Sequence, residues 1–162
     1  MKVLTQYGNV SQGLESASRA LNTNSDIYSV RNYNAITFIL HKGAGAVGTG
    51  TVTVDACNSV VPGATAKAPF YYRRFDSVAG TWGALTARTA AESFVTTAQA
   101  NDIYEITVDP RELHSIVIGG LTGFNFCRLS VAQVDATVVL YGIIVVLGQS
   151  RYNQETPIDP LV

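Results

Sequence analysis

The stretch GAGAVGTG, residues 43–50, sets glycines at 43, 45 and 48, the spacing of a dinucleotide-binding loop. That chemistry needs a strand leading in and a helix following, so that the helix N-terminal N–H groups meet the pyrophosphate. It also needs an acidic residue about 20 positions on, to hold a ribose hydroxyl. The lead-in AITFILHK (35–42) reads as a strand, but TVTVDAC (51–57) alternates with period 2 and predicts a second strand. At the acidic position lies APFYYRR, without a carboxylate. The glycines are therefore expected to form a small-residue tip between two antiparallel strands, and no nucleotide or other cofactor is expected.

Other reactive side chains are sparse. His41 and His114 are the only histidines and Cys57 and Cys127 the only cysteines, with no HxH, HxxxH or CxxC spacing, so no metal site is predicted. No GxSxG is present. Asp55 shares a strand face with Cys57, and a neighbouring carboxylate opposes thiolate formation. Both thiols are expected to be buried or half-buried and unpaired. No catalytic residue is assigned, and a non-enzymatic protein is expected.

The densest cluster of large side chains lies in FYYRRFDSVAGTW, residues 70–82. Phe70, Tyr71, Tyr72, Phe75 and Trp82 accompany Arg73 and Arg74, which alternate across a strand, so one of the two must turn towards a core, an edge or a partner. Glu105 on a neighbouring strand is a candidate counter-ion. An aromatic platform of this kind suits a carbohydrate-binding module, whereas packing in a core or between subunits suits the scarcity of nearby amides and carboxylates. Phe70, Tyr71, Tyr72, Arg73, Arg74 and Trp82 are accordingly candidate interface residues.

The elements that must position these residues are nearly all strands. DIYSV (26–30), AITFILHK, TVTVDACNSV, FYYRRF, TWGALT, ESFVTTA (92–98), DIYEITV (102–108), HSIVIGGL (114–121), FNFCRLSVAQ (124–133) and ATVVLYGIIVVLG (136–148) are separated by turn residues. VPGATAKAP (61–69) predicts a loop, and DPREL (109–113) a turn with proline at its second position. The continuous apolar run ATVVLYGIIVVL (136–147) is shorter than the roughly 20 residues of a membrane helix and predicts a strand buried on both faces. Of the ten strand segments DIYSV is short and ESFVTTA weak, and together they give an all-β, jelly-roll-like single β-sandwich of eight or nine strands over 26–152. Residues 1–25 read as a non-globular arm with isolated anchors, Leu14 and Leu21 among them, and 153–162 as a C-terminal tail. Charged residues are 14% and net charge is −1, without a basic stripe, so neither nucleic acid nor membrane binding is expected. Low charge with 47% apolar residues predicts a homo-oligomer.

NAITFILHKGAGAVGTGTVTVDACN, APFYYRR, TWGALT, ANDIYEITVDPREL and FCRLSVAQ together resemble small virion proteins of tailed bacteriophages, of the head decoration or cement type. The resemblance spans roughly residues 30–152. It implies a protein made in the host cytoplasm that binds the exterior of the capsid, with the major capsid protein and copies of itself as partners, a trimer being expected because it matches the local three-fold positions of an icosahedral shell. A tail or fibre component is the nearest alternative within a particle, and a carbohydrate-binding β-sandwich module the alternative outside one.

Overall fold

A computed structural model describes residues 8–19, 23–43, 47–117, 122–134, 137 and 139–150. The strands are β1 (Gly8–Arg19), β2 (Thr23–Asn24), β3 (Tyr28–Ser29), β4 (Tyr33–Lys42), β5 (Gly50–Cys57), β6 (Thr65–Ala68) and β7 (Phe70–Asp76). They continue as β8 (Thr81–Trp82), β9 (Thr86–Arg88), β10 (Phe94–Val95), β11 (Ile103–Val108), β12 (Phe126–Gln133) and β13 (Val139–Ser150), with one short helix, α1 (Pro110–His114).

Two antiparallel sheets pack face to face. The seven-stranded sheet runs β1-β13-β4-β11-β7-β8, with β9 also on β7; the six-stranded sheet runs β10-β5-β12-β2, with β3 on β12 and β6 on β5. With β2 and β3 taken as one interrupted strand, eight positions emerge in chain order: β1, β2/β3, β4, β5, β10, β11, β12 and β13. They order as first-eighth-third-sixth and second-seventh-fourth-fifth, the double Greek key of a jelly roll. The segment β6–β9 is inserted between the fourth and fifth positions and widens the larger sheet through β7.

Period-2 alternation builds the core. Ile36, Phe38 and Leu40 of β4, Tyr104, Ile106 and Val108 of β11, and Ile143 and Val145 of β13 meet Val52, Val54, Leu129 and Val131 of the opposing sheet, all buried. Each such aliphatic side chain removed from water stabilises the sandwich by about 1.5–3 kcal/mol.

Several expectations are corrected. Within the segment read as an arm, Gly8–Arg19 pairs along β13, from Gly8↔Gly148 to Arg19↔Val139, and occupies the first jelly-roll position. An edge strand is held by main-chain hydrogen bonds and needs no apolar alternation, which is why this small, polar stretch gave no strand signal. The glycine stretch is not a hairpin tip, because β4 and β5 belong to different sheets. Gly43 and Gly48 instead pass tightly under β13: a Cβ on Gly43 would lie 2.6 Å from Leu140 Cδ2, and one on Gly48 would press on the Thr137 carbonyl and lie 2.6 Å from Val139 Cγ2. Gly45 lies outside the described residues. β6 forms within the expected 61–69 loop because Ala66 and Ala68 alternate inward. The 109–113 turn extends to one helical turn, capped by Asp109, whose carboxylate accepts from the Arg111 N–H. Residues 114–117 add no strand beyond it.

Candidate functional site

β7 divides the aromatic–arginine cluster between two faces. Phe70, Tyr72 and Arg74 turn inward; Tyr71, Arg73 and Phe75 turn outward, and Trp82 of β8 joins them opposite Phe75. Arg73 pairs with Glu105, its register partner on β11, at 2.6 Å, and its guanidinium lies 4.5 Å from the centre of the Trp82 ring. Glu105, read from the sequence as a counter-ion for the arginine turned to a core, an edge or a partner, is taken by the outward Arg73, and the inward Arg74 takes Asp102 instead. The Phe75 ring packs against Trp82 at 5.4 Å and 60°. Trp82 remains 44% exposed. Leu14 lies on β1 opposite Ile143, and Leu21 lies outside the described residues.

From Trp82 the outer face of the seven-stranded sheet continues as apolar surface. Ile103 of β11, Ile39 of β4, Ile144 and Val146 of β13 and Val10 of β1 all face outward, with Ile144 47% exposed. A hollow of about 440 Å³ is lined by Thr37, Ile39, Trp82, Ile103, Glu105 and Val146. A second hollow, also about 440 Å³, lies beyond Ile144, where Val10, Gln12, His41 and Gly142 line it. The register pair Ile39↔Ile144 separates the two. The expectation that β13 is buried on both faces is thus half met: Tyr141, Ile143, Val145 and Leu147 are buried, while the alternate residues look out onto this face.

The opposite outer face differs. Thr51, Thr53 and Asp55 of β5, Arg128 and Ser130 of β12 and Lys67 of β6 make it polar. Asp55 receives Lys67 at 2.5 Å and Arg128 at 3.2 Å. Antiparallel sandwiches ordinarily present polar residues on both outer faces, so the asymmetry marks the seven-stranded side as the surface adapted to contact.

The inward arginine anchors the hairpin. Arg74 Nε donates to Asp102 at 2.7 Å, and Asp102 is 0% exposed. Asp102 also accepts from Thr97 Oγ1 (2.5 Å), the Ser77 N–H (3.1 Å) and Gln99 Nε2 (3.1 Å). Asp76, at the hairpin turn, accepts from Arg74, Gln99 and the Val78 and Ala79 N–H groups. Lys42, only 1% exposed, donates to the Thr97 carbonyl. Burial pushes the Asp102 carboxyl up, but the bonds from Thr97, Ser77 and Arg74 outweigh it and hold the group below the usual carboxylate range. Burial lowers the Lys42 ammonium and raises the Tyr104 phenol. Every polar group in this cluster is matched to another, so its chemistry is positional: it fixes the 76–80 turn and, through it, Trp82. The sequence carried no signal for it beyond the paired arginines, since Asp102, Gln99 and Thr97 come from an irregular segment.

His41 and His114 are exposed and far apart in the fold, on β4 and α1. No group of three His, Cys, Asp or Glu suited to a metal ion occurs among the described residues. Cys57 and Cys127 are free and buried. Cys57 pairs with Phe126 and Cys127 with Ala56, so the two thiols point to opposite faces of their sheet and cannot be joined. Burial pushes Cys57 up to about 11 and Cys127 higher still, leaving both as inert thiols at neutral pH. Alkylation without reductant is expected to label both residues after unfolding and neither rapidly before it. A mass two units lower with both blocked would contradict this.

No protein-family model and no curated protein matches the chain. Among solved structures it is similar to the SPBc2 prophage-derived protein YomS, with a TM-score of 0.39 and 13% identity over 85% of this chain and 91% of that one. It is also similar to a non-crystalline cellulose specific carbohydrate-binding module, CBM28, with a TM-score of 0.32 and 12% identity over 87% of this chain and 72% of that one. Likenesses this distant say nothing about what the chain binds.

Proposed function

We propose that this chain is a non-enzymatic structural protein of a phage particle, which binds the outer surface of the head, stabilises it, and acts by association through the outer face of its seven-stranded sheet. The observation that carries the association is that face, with Ile39, Ile103, Ile144 and Val146 beside a half-exposed Trp82 and an internally neutralised Arg73–Glu105 pair. The resemblance to head decoration proteins supplies the particle and its major capsid protein as partner. The site suits surface recognition: the Arg73–Glu105 ion pair is mutually satisfied and sits on a broad, open face.

Co-sedimentation with empty heads of the encoding phage, prepared without this chain, tests the proposal. Saturable binding is expected, and Ile144→Asp is expected to weaken it at least tenfold, since an ionised carboxylate cannot be buried in the contact through which the chain associates. Failure of the wild-type chain to sediment at any concentration would contradict the proposal.

A further inference from the structure

We infer that the outer face of the seven-stranded sheet is covered by the same face of a second copy of this chain. The inference rests on reading that face as the association surface, and not on the assignment to a phage head. The other occupants would be a shell protein bound directly or a glycan stacked on Trp82.

Relief favours the second copy. Ile144 projects between two hollows of about 440 Å³ each, one bounded by Trp82 and the other by Gly142 and His41. A face with a knob beside a hole can receive its own knob when turned about a two-fold axis, so one patch supplies both halves of the contact. Charge agrees. Arg73 and Glu105 neutralise each other at 2.6 Å, and the described outward residues of β13, β4 and β11 add no other Asp, Glu, Lys or Arg. Over those strands two copies therefore meet without like-charge repulsion.

Size agrees as well. The five longer strands, β1, β13, β4, β11 and β7, about 4.8 Å apart and with six residues rising about 3.3 Å each, give roughly 480 Å² per copy, or about 1,000 Å² in all, the size a specific interface has to reach. Edge-to-edge pairing is the poorer route. The free edge at β1 is interrupted by register shifts between Gln12 and Leu14 and between Leu14 and Ala17, irregularities that blunt strand addition. A contact of one face with itself closes at two copies, not at the three expected from the three-fold positions of a shell.

Trp82 is the only tryptophan, so fluorescence reports on this face alone. Sedimentation equilibrium at micromolar concentration is expected to give twice the chain mass of 17.3 kDa. Trp82 emission should shift to the red, and its quenching by acrylamide should rise, on dilution. Ile144→Asp should raise the dissociation constant at least a hundredfold and bring Trp82 to its dilute-state quenching at all concentrations. Val95→Asp, at an exposed position on β10 of the other sheet, should leave both readouts unchanged, with far-UV circular dichroism confirming that each variant folds. A monomer throughout, an oligomer indifferent to Ile144→Asp, or a monomer whose Trp82 emission responds to cellohexaose would each overturn the inference. A dimer that fails to bind heads would leave it standing and remove the proposed function instead; a monomer that binds heads would do the reverse.

Discussion

Asp102→Ala is expected to destabilise the fold by about 3 kcal/mol, the lower end of the cost of breaking a buried pair, because Arg74 on the other side is partly solvated. At 2–4 °C per kcal/mol for a chain of this size, the midpoint of thermal unfolding should fall by about 6–12 °C. The substitution strands more than one partner: Arg74, Thr97, Gln99 and the Ser77 N–H all donate to that carboxylate. The pH dependence has a definite sign. The folded-state pKa of Asp102 lies below its ordinary value, so its contribution is complete above about pH 4 and is lost as pH falls through the lower folded value. The wild-type advantage over Asp102→Ala should accordingly be constant near neutrality and shrink below about pH 4. An advantage that grew on acidification, or a variant as stable as the wild type at pH 7, would contradict the role given to this carboxylate.

Phe94→Ala is expected to cost about 3–5 kcal/mol, in the range for removing a buried phenylalanine ring. Phe94 belongs to β10, which pairs with β5 in the six-stranded sheet, yet its ring stacks on Tyr72 at 4.0 Å and 2° and lies 5.4 Å from Tyr104, both in the other sheet. It therefore ties the inserted segment and both sheets together, and its loss opens a cavity bordered by two rings whose stacking contributes about a further 0.5–1.5 kcal/mol. Chemical denaturation should show the loss at an unchanged slope, and Phe94→Leu should recover more than half of it. A loss below about 1 kcal/mol would mean that the site collapses around the gap and that the ring is not the tie.

The strands β4, β5, β11 and β12 were legible because each alternates over six or more residues, β7 because it is rich in aromatic residues, and the jelly-roll class followed from their number and spacing. β1 was not legible, since an edge strand built from main-chain bonds has no side-chain period to display. The partition of 70–82 into inward and outward residues was legible in part: alternation separated Arg73 from Arg74, and Glu105 was named as a partner. Asp102 was missed because it reads as the polar start of a strand, and its burial depends on how residues 97–101 fold back over Lys42 and Arg74. The most informative misreading concerns β13. A continuous apolar run predicts burial on both faces, and in the single chain one face of that strand stays open at Ile144. The run is what a strand needs if its second face is to be covered by another molecule, which is the role the inferred interface would give it.

Cryo-electron microscopy of the phage particles to which the proposed function assigns this chain tests most directly whether the sandwich works as a structural protein whose seven-stranded outer face is covered. Density for the two-sheet fold is expected on the exterior of the head, with Ile39, Ile144 and Trp82 turned into a contact. Particles without the sandwich on the head, or with it present and that face open to solvent, would contradict it.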